Sequence, residues 1–430
     1  MGNRIRIAIV GLGNRGKDTY APAAELYADD MEIAAVADID PNKLAEVARR
    51  YSLKAEACFA SAEALLEKEQ LADAVVIATQ DRQHVPHAKA AIKKGYHVLL
   101  EKPISSDLQE CRELIQLAKK YQRQVIVCHV LRYTPFFNRL KQILDEKRIG
   151  EITTVVAMEN VGYFHQAHSF VRGNWANSDQ TSPMILAKCC HDMDLYLWLT
   201  GKRCEALSSF GNTFWFKEEN APKGSTAFCL GGCAAKEDCP YDAEKIYLTN
   251  EKTGFLQGNR KWPVNVVVLD PGEESIRKAL EEGPYGRCVY RCHNNVVDHQ
   301  TLNMKMTDGA VISFTMSGFT AITSRQAIVM GTNGEITADM GENRIIVKPF
   351  GKPEEVIDIR SEENDLAGHG GGDMRLIREF LDIMQGKTDI GSHITSIEAS
   401  VESHYCAMAA ENSRLQNGKV MLLADYRNQK

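Results

Sequence analysis

The chain has 430 residues, 44% hydrophobic and 25% charged, with a net charge of −6. That balance belongs to a globular protein of two domains, or three, with ample material for large cores. It carries no basic footprint for nucleic acid and no apolar run long enough for a membrane span. The first strand starts almost at once, so no signal peptide is expected. Twelve scattered cysteines suit reduced thiols, and a cytoplasmic location is expected.

Residues 1–125 alternate apolar runs with amphipathic stretches, which predicts a doubly wound parallel sheet. Strands are expected at 4–10, 32–38, 74–79, 97–100 and 124–128, and helices near 15–28, 41–51, 61–69, 84–94 and 106–121. After the first strand stands Gly11-Leu12-Gly13-Asn14-Arg15-Gly16. This GxGxxG turn lets a helix N-terminus approach a pyrophosphate with no Cβ in the way. The second strand ends in Asp38, 22 residues after Gly16, where a carboxylate can accept from both ribose hydroxyls. It would repel a 2′-phosphate, and Ile39 and Asp40 offer no offsetting cation. NAD is therefore expected rather than NADP, with Gly11, Gly13, Asn14, Arg15, Gly16 and Asp38 in the cofactor set. Thr79, His84, Glu101 and Lys102, past the carboxyl ends of later strands, complete it.

A connecting helix is expected from Phe136 to Lys147, ended by Gly150. Beyond it strands lengthen, at 151–161, 295–307, 310–319, 325–331, 335–339 and 344–349. Turn signals stand at Asp308-Gly309 and Asn333-Gly334. They predict an α+β domain on a large, mostly antiparallel sheet, with helices at 183–200, 372–386 and 393–414 and a last strand within 420–426. The expected division is residues 1–130 and 131–430. Residues 204–293, rich in Cys, Gly and Pro, read as an irregular insertion. Within it Cys229, Cys233, Cys239 and Cys292 could hold a structural zinc, with Cys288 nearby, although cysteine also serves as a small apolar filler.

His129, Arg132 and Tyr133 follow a strand at the domain junction and are expected to line a substrate cleft. His165, His168, Arg172 and Trp175 fall within a dozen residues and suit a sugar ring, whose C–H face stacks on indole. A loop at a subunit interface would look similar. Gly368-His369-Gly370-Gly371-Gly372-Asp373 precedes a helix. Asp373 reads as its cap, and His369 among glycines as a side chain presented at a crowded site.

The Rossmann turn, Thr79-Gln80-Asp81-Arg82-Gln83-His84, Glu101-Lys102-Pro103, the run from Val127 to Tyr133 and His191-Asp192-Met193-Asp194 together resemble the Gfo/Idh/MocA oxidoreductase family. The resemblance implies that Lys102 binds the reacting hydroxyl and that His191 is the acid/base. Many relatives carry an aspartate four residues before this histidine. Here that position is Ala187, followed by Lys188. Lys188 is expected either to bind a hydroxyl or carboxylate or to depress the pKa of His191 and Lys102; alternatively, Asp192 orients the imidazole. The expected activity is NAD-dependent hydride transfer at a secondary hydroxyl of a sugar, inositol or related polyol. A GHGG-x-D stretch also occurs in NAD-dependent glycoside hydrolases related to the family, so a redox-neutral hydrolase is the alternative. A cofactor-binding regulator on the same fold is a third. One sheet face left uncovered, together with the resemblance, implies a homodimer or homotetramer.

Overall fold

The computed structural model describes residues 4–360, 369–389, 391 and 393–428. Six parallel strands form the first sheet, in the order β3-β2-β1-β4-β5-β6. They are β1 Ile5–Val10, β2 Met31–Ala37, β3 Cys58–Phe59, β4 Ala74–Ile77, β5 His97–Leu100 and β6 Val125–Val127. β4 is buried at every position, as a strand covered on both faces must be. Helix Pro41–Arg50 starts as its residues dictate. Asp40 accepts from the Asn42 N–H, and Pro41 needs no amide partner there.

One face of this sheet is covered from far along the chain. Ile7, Ile9, Leu99 and Ile126 pack with Ile377, Phe380 and Leu381 of helix Gly372–Met384. Fully burying each such side chain stabilises by about 1.5–3 kcal/mol. This contact fixes the two halves of the molecule against each other, and the site lies along that junction.

The second sheet has nine strands in the order β14-β13-β12-β11-β7-β10-β9-β8-β15. They are β7 Ile152–Asn160, β8 Cys204–Asn212, β9 His299–Met306, β10 Val311–Ser317, β11 Ser324–Gly331, β12 Gly334–Asp339, β13 Arg344–Pro349, β14 Glu355–Asp358 and β15 Met421–Leu422. All neighbours are antiparallel except β7 and β10, so the sheet is mixed. In β9, Leu302, Met304 and Met306 are buried and Thr301, Asn303 and Lys305 exposed. The covered face meets helices Cys190–Thr200 and Ile397–Leu415. On the other face Val156, Val311, Ile328 and Met330 stand exposed.

Three expectations need correction. Cys204–Asn212 is not part of an irregular insertion but strand β8, paired with β9 over its length. The predicted helix 183–200 is two pieces, Met184–Ala187 and Cys190–Thr200. Of 420–426 only Met421–Leu422 is a strand, and Leu423–Asn428 is helical. The sequence reading also missed β14, which is short and largely exposed. The insertion proper carries its own small core, in which Phe216, Tyr241, Tyr247, Ile276 and Leu280 pack against Ala167 and Val171.

The zinc expectation finds no support. Among the described residues no cluster of three or more His, Cys, Asp or Glu side chains is placed to hold a metal ion. Burial pushes the thiols of Cys229 and Cys239 up, and that of Cys292 to about 11. Cys229 Sγ accepts from Arg172 Nη2 at 3.5 Å, and Cys292 Sγ donates to the Cys288 carbonyl at 3.4 Å. Cys229, Cys233, Cys239 and Cys288 line a small recess beside Arg172.

Candidate active site

The turn after β1 has the form a dinucleotide requires. Gly11 has φ +89°, and a Cβ there would sit 2.6 Å from the Ala78 carbonyl oxygen. A Cβ on Gly16 would lie 1.8 Å from the Gly11 oxygen, so glycine is obligatory where the helix meets the strand. At Gly13 a Cβ would meet nothing within 4 Å, leaving open space over the helix start. Asp38 accepts from Leu12 N at 2.5 Å on one oxygen and from Asp40 N at 2.8 Å on the other. It braces the turn and keeps a second lone pair on each oxygen for a ribose.

Arg15 and Glu101 do something other than expected. The Arg15 guanidinium donates to Glu101 at 2.5 Å, to the Tyr20 hydroxyl at 2.6 Å and to Asp373 at 2.6 Å. Glu101 also receives the Tyr20 hydroxyl, and its other oxygen accepts from Lys102 N at 3.0 Å. The guanidinium holds the Glu101 carboxyl below its ordinary range and that of Asp373 far below, against the opposing effect of burial. Arg15 thus ties the glycine turn, the Glu101-Lys102-Pro103 turn and the helix at Gly372 into one unit. Asp373 is not a cap; it accepts from Arg15 and, at 2.9 Å, from His369. Gly368 lies outside the described residues.

His84 bridges the Pro103 carbonyl at 2.7 Å and the Thr79 carbonyl at 3.0 Å, so it fixes the lysine's turn rather than facing the cofactor. The Thr79 hydroxyl lies 3.2 Å from His87. Behind the turn, His404 accepts from Ile104 N at 2.8 Å. Nothing in the sequence marked His404, which sits inside a long helix without a motif.

Lys102 Nζ donates to the Ala187 carbonyl at 2.9 Å. The backbone therefore anchors the ammonium at the position where the resemblance placed an aspartate. Four residues on, at the start of the next helix, stands His191. Burial pushes its imidazole well below the ordinary range, and the charges of Lys102, His129, Arg325 and His369 push it further. The imidazole is neutral, with Nδ1 buried and unpartnered. Asp192 does not orient it, because that carboxylate is bound by Arg325 at 2.8 and 3.1 Å. Lys188 lies 3.3 Å from the buried Glu159, which also meets Arg325 at 2.9 Å. Its charge nevertheless reaches the cleft, where it is the largest electrostatic cause, after burial, of the depressed pKa of His165. Glu159 and Arg325 gave no sequence signal, since each is a lone charge in an apolar strand.

His129 sits edge-on to His191, ring centres 5.6 Å apart, and 6.0 Å from His404. Both its nitrogens are buried without a partner, and burial pushes its pKa down to about 4. His369 lies 6.2 Å from His191. Arg132 and Tyr133 are placed elsewhere. Arg132 grips Asp194 with two contacts of 2.6 Å, both residues buried, and the Tyr133 hydroxyl meets Thr395 at 3.0 Å.

The second expected group divides. His165 stacks edge-on against Trp262 at 4.8 Å, within the field of both lysines. His168 meets Trp262 at 5.2 Å, stacks on Tyr285 at 4.8 Å and hydrogen-bonds the Tyr247 hydroxyl at 2.9 Å. Arg172 donates to the carbonyls of Arg287 and Tyr241 at 2.7 Å each and holds the insertion. The Trp175 indole N–H donates to Asp81 at 3.1 Å. Trp262 was missed because its segment has no periodicity. Nearby Asn265 donates to Asp18 at 2.9 Å, within the helical turn that follows Gly13, and its carbonyl oxygen is buried and unpartnered. The insertion thus touches both the nucleotide helix and the aromatic wall of the cleft.

Sequence comparison agrees with this architecture. Residues 5–129 match the NAD-binding Rossmann fold of the Gfo/Idh/MocA oxidoreductase family, and residues 141–422 match its C-terminal alpha/beta domain. The chain belongs to the Gfo/Idh/MocA oxidoreductase family. It is 24% identical over 392 residues to YteT of Bacillus subtilis, named as an oxidoreductase, covering 87% of this chain and 88% of that one. Inositol 2-dehydrogenase 4 of Saccharopolyspora erythraea is 30% identical over 231 residues, 53% of this chain and 62% of its own. The crystal structure of the WlbA dehydrogenase of Chromobacterium violaceum with NADH and UDP-GlcNAcA superimposes with a TM-score of 0.67. It is 18% identical, over 97% of this chain and 96% of that one. Among the described residues no helix is long and apolar enough to cross a membrane.

Proposed function

We propose that this protein is an NAD-dependent dehydrogenase of a secondary hydroxyl on a sugar, inositol or related polyol. The observation that carries the reading is the anchoring of Lys102 on the Ala187 carbonyl, four residues before the neutral His191, whose pKa its charge depresses. The open space at Gly13 and the braced carboxylate of Asp38 fit a dinucleotide, and Asp38 favours NAD over NADP. NAD, when bound, supplies the hydride acceptor. His191 takes the hydroxyl proton on its neutral imidazole. Lys102 holds its ammonium at the oxygen where negative charge develops. Trp262 and His165 offer a face on which an apolar sugar face can stack. The named activities of inositol 2-dehydrogenase 4 and of the WlbA dehydrogenase support this substrate class.

A second reading is favoured by the His369–Asp373 pair beside His191. In a redox-neutral glycosidase, oxidation at C3 acidifies the C2 proton. A second base removes that proton as the glycosidic substituent leaves. Water then adds, and the hydride returns to C3. Incubation with simple polyols and aryl glycosides, following NADH and aglycone together, separates the two. NADH accumulating with a polyol supports the dehydrogenase; aglycone released without NADH supports the hydrolase. The exposed face bearing Val156, Val311, Ile328 and Met330 further supports a homodimer or homotetramer packed through the nine-stranded sheet, measurable by light scattering.

A further inference from the structure

Hydride transfer as described leaves one buried titratable group beside the reacting centre without a task. His129 is 1% exposed, and neither of its ring nitrogens has a hydrogen-bond partner. Its backbone N–H is fixed on the Val127 carbonyl at 2.7 Å, so the turn after β6 holds the residue in place. A neutral imidazole carries one N–H and one lone pair, and here both are sealed from water. His191 has the complementary need. Of its two nitrogens only Nδ1 is both sealed and unpartnered, which leaves Nε2 to meet a substrate hydroxyl. For Nε2 to take a proton, the neutral ring must carry its hydrogen on Nδ1, and a buried N–H requires an acceptor.

The charged and titratable groups around His191 are Lys102 after β5, His129 after β6, Arg325 of β11 and His369 before helix Gly372–Met384. Lys102 and Arg325 can only donate. Nδ1 of His369 is engaged by Asp373 at 2.9 Å, and its side chain is 40% exposed. His404, 6.0 Å from His129, is fully used. Its Nε2 accepts from Ile104 N at 2.8 Å, and its Nδ1 meets the Ser400 carbonyl at 3.1 Å. Around His129 itself stand Asp194, Arg132, Lys102 and Glu101. Asp194 is closed on Arg132, and Glu101 on Arg15. His129 is thus the sealed acceptor that nothing else engages.

The two rings stand edge-on, with centres 5.6 Å apart and planes at 81°. Imidazoles joined by an N–H···N bond of about 3 Å have centres about 5 Å apart, so a small rotation closes the bond. Crossed planes do not oppose it, because such a bond permits rotation about its own axis. Catalytic hydrogen bonds often tighten only as the reacting complex forms.

We propose that His129 is a positioning residue that accepts the Nδ1–H of His191 and so keeps Nε2 free to act as the base. The inference rests on the reading of His191 as the acid/base of hydride transfer, and it adds the residue that sets its tautomer. When His191 takes up the second proton, the same bond becomes charge-assisted and steadies the imidazolium. A hydrogen bond to a charge present in the transition state is worth about 10- to 100-fold in rate.

The test combines NMR of the full-length protein, labelled with heavy nitrogen in its histidines, with steady-state kinetics near neutral pH. His191 is assigned by the signal lost in His191→Asn. The expected result is an Nδ1–H tautomer of His191 in the parent and in His129→Gln, whose amide oxygen still accepts. In His129→Leu the tautomer becomes mixed or Nε2–H. Turnover falls about 10- to 100-fold in His129→Leu with little change in KM, and His129→Gln regains most of it. An Nε2–H tautomer in the parent, an unchanged tautomer in His129→Leu, or a His129→Gln as impaired as His129→Leu overturns the proposal. So does a tautomer change in His369→Asn that His129→Leu does not show. The tautomer is read without substrate. A parent that oxidises no polyol therefore strikes the dehydrogenase reading alone, and the spectra still decide the contact between His129 and His191.

Discussion

Replacing Lys102 by Met keeps the length and apolar stem of the side chain and removes only the ammonium. In the structure that ammonium does two things: it donates to the Ala187 carbonyl, and its charge depresses the pKa of His191. Loss of one hydrogen bond to a backbone carbonyl costs about 1 kcal/mol, which leaves the fold intact. Loss of a donor aimed at a developing alkoxide costs on the order of 100- to 1000-fold in kcat, or about 2.7–4 kcal/mol. With the cation gone, the His191 imidazole binds a proton more readily. The acid limb of the residual kcat/KM profile therefore moves to higher pH. Cofactor affinity should stay within a few-fold, because the glycine turn and Asp38 are untouched. Steady-state kinetics across pH, with NADH fluorescence titration, measures all three quantities. Turnover within tenfold of the parent, or an acid limb that does not move, would refute this assignment of Lys102.

Arg15→Met leaves Glu101 and Asp373 buried without their cation, at 6% and 0% side-chain exposure. Breaking such a pair costs about 3–5 kcal/mol, so urea unfolding should lose most of its margin; a change under 1 kcal/mol would show that the bridge is dispensable. Acid should destabilise the protein through buried neutral histidines. His129 is pushed down to about 4, and His168 and His404 to about 3, from an ordinary 6.5. The unfolded chain takes up these protons first. Stability is thus full above pH 6.5 and falls as pH drops toward 4, by about 1.4 kcal/mol per unit for each imidazole. Thermal melts at pH 7, 6 and 5 should show the midpoint falling, and a flat profile would contradict burial of these rings in neutral form. Asn265→Ala removes the contact between the insertion and Asp18, worth about 1 kcal/mol, and should speed NADH release roughly fivefold in stopped flow. An unchanged release rate would mean that the insertion does not restrain the cofactor.

Sequence by itself determined the nucleotide half of this protein. A strand, a GxGxxG turn and an acidic strand end are local patterns, because backbone approach to a pyrophosphate depends on residues adjacent in the chain. The strands of the second sheet were legible for the same reason, as alternation with period two survives in the sequence. Cys204–Asn212 was lost because it lies against an irregular stretch whose composition masked it. The cysteines misled because their spacing along the chain says nothing of whether the fold converges them, and among the described residues no metal-holding cluster forms.

Tertiary structure alone decided which charges are free. Arg132 looked available for substrate and is spent on Asp194, and Asp192 is spent on Arg325. The missing aspartate before His191 is answered by the Ala187 carbonyl, a group every residue carries and no motif can reveal. Pairing between ions depends on distances across the fold, and 358 positions of sequence separate Arg15 from Asp373. Local sequence therefore states which chemistry is present, and packing selects the atoms left to perform it.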